Sequence, residues 1–311
     1  MFLCHKVLKF EGLGFFSTRI CLLTPIHLLS MTYKNFTSVR GIPLLCIISL
    51  SCILFCITLG KSIFLVPHPD DETLGFGGTI RERVLAGDEV WIIVATHGEG
   101  SGVKRILSGQ NYCSIHTTYH NPTTENYLDT EGNGPSLSVA EFGWARVREF
   151  YDSVTTLGVP TSHVQVYDYG DGLVSYIVAT NLFASVVNQL GFWEKYYTVL
   201  GAQDYNYNVD HVNLAQALID NQVIPSQNKK FYAVYEYRDS NHNNIQWFVD
   251  IGAYLATKRM ALDKYKVWDP QNGRFMIGYH SVKDLFDAVY ASPLEFMNFV
   301  PTGVSQWVLY K

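Results

Sequence analysis

The sequence predicts an α/β fold, a Rossmann-like three-layer sandwich with a mostly parallel sheet, preceded by an N-terminal hydrophobic signal or anchor segment. Three observations predict it. Short apolar runs of β-branched residues fit fully buried strands, amphipathic stretches of helical length lie between them, and the first strand–helix–strand unit closes within roughly 35 residues, as a parallel crossover requires. The chain has 311 residues, 48% hydrophobic and 16% charged. That balance supports a sizeable core and excludes a disordered chain or a coiled coil.

Residues 42–59 (IPLLCIISLSCILFCITL) hold no charged side chain over 18 positions. This is the lower limit for a bilayer-spanning helix and slightly more than the usual apolar core of a signal peptide. Lys34 and Arg40 precede the run, so MTYKNFTSVR has the character of a positively charged leader, with Met1 and Met31 both candidate starts. Thr58 and Gly60 are small residues suitably placed for cleavage before Lys61. The positive flank would leave the N-terminus in the cytoplasm. The expectation is an exported protein, secreted or membrane-anchored with the domain on the outer side. Residues 1–60 form the extension, and 61–311 form one domain.

Within that domain, Ser62–Val66 (SIFLV) fits a buried strand that stops at Pro67-His68-Pro69, where ring constraints and missing amide hydrogens prevent pairing. Thr73–Ala86 follows as a helix, Gly87-Asp88 as its turn, and Glu89–Ala95 as the second strand. Later elements are a helix over Glu141–Leu157, stopped at Gly158-Val159-Pro160, and a strand over Val164–Tyr167. A helix at Val178–Leu190, a strand at Tyr196–Leu200, a helix at Val212–Asn221 and a strand at Phe231–Tyr237 complete the alternation. Residues 98–140 break the rhythm as a long polar loop, a feature that is usually functional or mobile. Trp247, Tyr265, Trp268, Tyr279 and Phe286 are expected in the core.

The net charge is −5, and residues 1–60 hold five bases (Lys6, Lys9, Arg19, Lys34, Arg40) against Glu11. The remainder is therefore near −9, with 18 basic and 27 acidic residues. No nucleic-acid partner is expected from that sign, whereas a metal cation and a neutral or weakly charged sugar suit it. Cys4, Cys21, Cys46, Cys52 and Cys56 lie in or before the apolar run, and Cys113 stands alone after it. The domain is thus expected to hold no intrachain disulfide and no cysteine-based zinc site. His116 and His120 would share a helical face, but Pro122 and the polar surroundings argue against a helix there, and no role is assigned to them.

The chemistry concentrates at Pro67-His68-Pro69-Asp70-Asp71-Glu72. In an open parallel sheet, ligands bind beyond the carboxyl ends of the strands. Zinc takes imidazole and carboxylate ligands at such places and keeps a position open for water. Three adjacent polar groups cannot all face one ion, so one carboxylate is left free to act as general base. A helix whose first turn favours acidic residues accounts for Asp70, Asp71 and Glu72, but not for His68 between two prolines.

PHPDDE after an apolar strand, followed by LGFGGT, resembles the LmbE-like superfamily, which includes the GlcNAc-phosphatidylinositol de-N-acetylases (PIG-L). The resemblance covers about residues 62–237. It implies His68 and Asp71 as ligands of one Zn2+ per chain, with Asp70 as general base. The family's His-x-Asp-His motif has its counterpart in Asn208-Val209-Asp210-His211, making His211 the third ligand. Arg146 and Glu149 with Leu157-Gly158, and Thr96-His97-Gly98-Glu99, match further family segments. Asn208 departs from the pattern, standing where a histidine usually stabilises the oxyanion or protonates the leaving amine. An asparagine can do the first but not the second. His97 is the candidate substitute, a structural histidine being its competing reading.

The activity implied is removal of acetyl from an N-acetylglucosamine-type substrate. Asp70, Asn208, Asp210 and His97 are the candidate catalytic residues, and Arg146 and Asp171 the substrate contacts. Two other classes stay open. Asn208 motivates a metal-binding, catalytically impaired exported sugar-binding protein. Gly75-x-Gly77-Gly78 faintly resembles a dinucleotide loop, although these glycines fall inside a helix and no acidic residue ends the second strand.

Overall fold

The computed structural model describes residues 60–125, 136–192, 194–200, 208–235 and 247–298. The expectations for residues 1–59, including the apolar segment 42–59, lie outside the described residues, as does Tyr237 at the end of the last expected strand. No helix among the described residues is long and apolar enough to cross a membrane.

In chain order the first half runs β1 (Lys61–Val66), α1 (Asp71–Leu85), β2 (Glu89–Val94), α2 (Val103–Leu107), α3 (Val139–Thr156), β3 (Val164–Val166), α4 (Tyr176–Leu190) and β4 (Lys195–Val199). It continues with α5 (Val209–Asp220), β5 (Lys229–Ala233), β6 (Trp247–Asp250), α6 (Leu255–Leu262) and a small ribbon of β7 (Trp268–Asp269) and β8 (Arg274–Phe275). Helices α7 (Ile277–Ser281) and α8 (Lys283–Ala291) and strand β9 (Leu294–Asn298) end the described chain. The main sheet has the order β3-β2-β1-β4-β5-β9-β6. Strands β1 to β5 are mutually parallel, while β9 runs antiparallel to both β5 and β6. The α/β class and the mostly parallel sheet agree with the sequence reading.

Alternation along each strand divides the core. Phe64 and Val66 of β1 face a layer made by α1, α3, α6 and α8, with Phe76, Phe150, Leu262 and Phe286 at its centre. Ile63 and Leu65 face α4 and α5, against Phe183 and Leu214. A strand covered on both faces has no polar side to show, hence the unbroken apolar run Ile63–Val66.

Helix starts fall a few residues earlier than the apolar periodicity suggested, and at α3, α4 and α5 side-chain capping fixes them. Ser138 and Glu141 form a reciprocal capping box at α3, and the Ser175 and Asn208 side chains cap α4 and α5. Trp247 corrects another expectation. It lies on β6, one of the sheet's two edge strands, and is 56% exposed, whereas Tyr265 and Phe286 are fully buried and Trp268 and Tyr279 partly so.

Candidate metal and catalytic centre

Strand order reverses at β1, which pairs with β2 on one side and β4 on the other. A crevice is expected at the carboxyl ends of such a pair. His68, Asp70 and Asp71 follow β1, His97 follows β2, Asp171 follows β3, and Asn208, Asp210 and His211 follow β4.

Asp71 Oδ2 lies 3.2 Å from His68 Nδ1 and 3.3 Å from His211 Nε2, and the three side chains can offer donor atoms within 4.8 Å of one another. All three residues are buried. Burial alone would raise the Asp71 carboxyl, but the imidazoles of His211 and His68 outweigh it and hold it well below the usual carboxylate range. A tetrahedral zinc site with these ligand types has edges of about 3.3 Å, so the donor set fits such an ion. His211 Nδ1 is buried and has no hydrogen-bond partner among the described residues.

His68 Nε2 faces two further carboxylates, Asp210 Oδ2 at 3.1 Å and Asp171 Oδ1 at 3.2 Å. Burial disfavours its charged form, yet Asp171, Asp210 and Asp71 together raise its pKa well above the usual value. The carboxylates of Asp171 and Asp210 keep a proton on Nε2; with a cation in the cage, Nδ1 would give up its own proton and offer its lone pair beside Asp71 and His211. Asp171 and Asp210 could themselves join His68 around a cation. Asp210, however, already accepts the Gly172 N–H at 2.7 Å on Oδ2 and the Val174 N–H at 3.0 Å on Oδ1. Its oxygens are engaged in holding the β3–α4 turn against His68, so the His68, Asp71 and His211 set is the better ligand cage.

Asp70 is buried, feels the charges of Asp71 and His68, and has φ 115°, a left-handed conformation outside the range side chains favour. The neighbourhood fixes it there. Glu72 Oε2 accepts the Asp70 N–H at 3.0 Å, and the Asp70 carbonyl accepts the N–H groups of Thr73 and Leu74. Arg146 donates from Nε to the Pro69 carbonyl, from Nη1 to the Gly98 carbonyl, and from Nη2 to Asp70 Oδ2 at 2.7 Å. Burial pushes the Asp70 carboxyl up to about 6 although Arg146 opposes it. Arg146 is itself buried, and each of its three nitrogens has a protein acceptor. As placed, it positions Asp70 and has little left for a substrate.

Glu72 was not singled out in the sequence beyond its place in PHPDDE. Its other oxygen accepts Tyr265 O–H at 2.7 Å and the Thr73 hydroxyl, and burial pushes its carboxyl up to about 7. Tyr265 lies far along the chain, so no local signal could have paired them.

Asn208 uses Oδ1 to accept the Asp210 N–H at 2.9 Å, leaving its amide NH2 as the remaining donor. His97 is turned toward α3: its ring lies 4.6 Å from that of Trp144, and Nδ1 is 3.9 Å from Asp168 Oδ1. Among the described residues, no hydrogen bond joins it to the His68 cluster. Asp171 is partly exposed, accepts the Gly100 N–H, and donates its own N–H to Glu99 Oε1 at 2.7 Å. Glu99 also lines a cleft of about 300 Å³ with Lys104, Arg105, Gln110 and Ser136.

Residues 63–221 match the family model of the GlcNAc-PI de-N-acetylases (PIG-L). Among solved structures, the chain is similar to N,N'-diacetylchitobiose deacetylase from Pyrococcus horikoshii, at 16% identity over 85% of this chain and 95% of that one, with a TM-score of 0.49. It is similar to the 4-carboxy-2-hydroxymuconate hydratase of Pseudomonas putida, at 16% identity over 79% and 98% of the two chains, with a TM-score of 0.49. A deacetylase of teicoplanin biosynthesis gives 14% identity over 76% and 96%, with a TM-score of 0.48. No curated protein matches the chain. With the family match extending over more than half of its 311 residues, the chain belongs to the GlcNAc-PI de-N-acetylase (PIG-L) family of deacetylases, which are amide hydrolases.

Proposed function

We propose that this chain is a zinc-dependent hydrolase removing the N-acetyl group from an N-acetylglucosamine-type glycoconjugate. The observation that carries the reading is the convergence of His68 Nδ1, Asp71 Oδ2 and His211 Nε2 beside the buried carboxylate of Asp70. Zinc held by those three residues would supply Lewis acidity toward the acetamide carbonyl and a water with pKa lowered to ~7.

The remaining work falls to the chain's own groups. Arg146 fixes Asp70 Oδ2, leaving Oδ1 to take the proton of the attacking water. A carboxyl raised to about 6 is near the range in which a base serves at neutral pH. The Asn208 amide is the donor available to the developing oxyanion, a type of contact worth about 2.7–4 kcal/mol elsewhere. Asparagine cannot protonate the leaving amine, and His97 is turned toward Trp144, so Asp70 returns the proton it took. Asp210 orients His68 by accepting from Nε2. Asp171, whose N–H is held by Glu99 of the cleft, would accept a sugar hydroxyl in addition to its contacts with His68 and Gly100. Residues 42–59 would export or anchor the domain on the outer side of a membrane, a reading that protease accessibility in intact cells tests.

The experiment is Asp70→Asn, with bound zinc and amine release both measured. Zinc should stay at the wild-type level while turnover falls by about 10²–10⁴-fold; near-normal turnover removes Asp70 as the base. Asn208 favours one other reading, a zinc-loaded sugar-binding protein without catalysis. It wins if the wild type binds zinc yet releases amine from no conjugate.

A further inference from the structure

Four metal-binding side chains meet at a place the catalytic chemistry does not use. Cys113, His116, His120 and His280 can each offer one donor atom, all within 4.8 Å of one another. Three come from the long loop that interrupts the α/β alternation, and the fourth from α7. Cys113 Sγ lies 3.3 Å from His280 Nε2, and His116 Nδ1 lies 3.1 Å from His120 Nε2. A tetrahedron with zinc–nitrogen bonds of ~2.0–2.1 Å and a zinc–sulfur bond of ~2.3 Å has edges of about 3.3–3.6 Å. Both measured pairs are near that spacing.

The outer contacts aim the imidazoles inward. His280 Nδ1 lies 2.9 Å from the Met276 carbonyl, which leaves Nε2 deprotonated toward Cys113. His120 Nδ1 lies 2.9 Å from Glu125 Oε2, which leaves Nε2 free toward His116. Carbonyl and carboxylate partners on the far nitrogen are the arrangement that orients metal-bound histidines. The local backbone is shaped for the same end. Cys113 and Thr118 exchange both backbone hydrogen bonds across a tight turn with Thr117 at φ 54°, and His116 donates its N–H to Cys113 Sγ at 3.3 Å. Glu149 accepts the N–H groups of Ile277 and Gly278 and so anchors the start of α7.

We propose that Cys113, His116, His120 and His280 bind a second zinc ion that pins the long loop to α7. One thiolate and three imidazoles suit zinc, and four protein ligands leave no open position, which makes the site structural. Glu125 offsets the cation's residual charge. The pinned loop carries Lys104, Arg105 and Gln110 of the cleft wall, and a Ser101–Ser281 hydroxyl contact of 2.8 Å ties the same two segments. Such a site would depart from the expectation that the domain holds no cysteine-based zinc site.

The test uses the full chain, metal-stripped and reloaded with zinc or cobalt. The His68, Asp71 and His211 cage contains no sulfur, so a near-ultraviolet thiolate-to-cobalt band reports the Cys113 site. The wild type should show that band and hold two zinc ions. Cys113→Ser, which keeps all five N-terminal cysteines, should lose the band and one ion, whereas His211→Ala should keep the band. His280→Gln should lose the ion and His280→Cys should retain it with a stronger band, a pair of results that mere packing of the ring would not give. A wild type without a thiolate band, or a band undiminished in Cys113→Ser, overturns the proposal in favour of a metal-free hydrogen-bonded cluster.

Discussion

At the scale of single residues, the structure stores its strain at Asp70. A non-glycine residue at φ 115° persists only where its surroundings over-determine it, and Glu72, Thr73, Leu74 and Arg146 all hold its backbone or carboxylate. Asp70→Gly and Asp70→Ala both lack the carboxylate and differ chiefly in tolerance of that φ. Thermal or denaturant unfolding should find the glycine variant more stable by about 1–3 kcal/mol, and equal stabilities would show that the position is unstrained. Arg146 is the counterweight to a buried anion. Arg146→Met should cost about 3–5 kcal/mol by leaving Asp70 uncompensated, and adding Asp70→Asn should restore most of that loss. An additive double variant would contradict the pairing. The convergence of His68, Asp71 and His211 was legible in PHPDDE and in Asp210-His211, because each is a short local motif that follows a strand. The contact of Tyr265 with Glu72 and of His280 with Cys113 joins residues far apart in sequence, which no spacing rule reaches.

At the scale of elements, α1 is two helical pieces joined at Phe76, whose φ of −145° breaks the hydrogen-bond ladder. The freed groups are satisfied from the other end of the chain. Glu295 accepts the N–H groups of Gly78 and Thr79 and the Thr79 hydroxyl, and Lys258 donates to Glu295 at 2.7 Å and to the Leu74 carbonyl at 3.3 Å. Both charges are fully buried. Lys258→Met should therefore destabilise by about 3–5 kcal/mol, read as a drop in the unfolding midpoint; a change within error would mean the pair contributes nothing. The glycines that suggested a dinucleotide loop have a packing explanation. A Cβ on Gly78 would come within 2.6 Å of Ile251, and one on Gly77 within 3.2 Å of Lys258. Periodicity placed α1 correctly but could not show its break, since the residues that cap the second piece lie beyond residue 250.

At the scale of the whole molecule, the parallel core from β1 to β5 was readable because β1 and β2 carry unbroken apolar runs and strands alternate with helices, although β5 starts and ends earlier than its apolar residues suggested. The C-terminal part was not. Its strands β6 and β9 join the sheet antiparallel, from sequence whose aromatic residues fit core or edge equally, and Trp247 proved to be on the edge. The family match ends at residue 221, yet Lys258, Tyr265, His280 and Glu295 support α1, Glu72 and Cys113 from beyond it. A chain ending at residue 246 should accordingly lose cooperative unfolding, and a sharp transition in that fragment would show the C-terminal part to be dispensable. The central claim is that the cage at His68, Asp71 and His211 performs metal-dependent deacetylation. Its most direct test is free-amine release from a panel of N-acetylglucosamine conjugates by the full chain, before chelation, after it, and after zinc is returned. The account predicts release from at least one conjugate, abolished by chelation and restored by zinc. Release that continues undiminished in the stripped protein would contradict it.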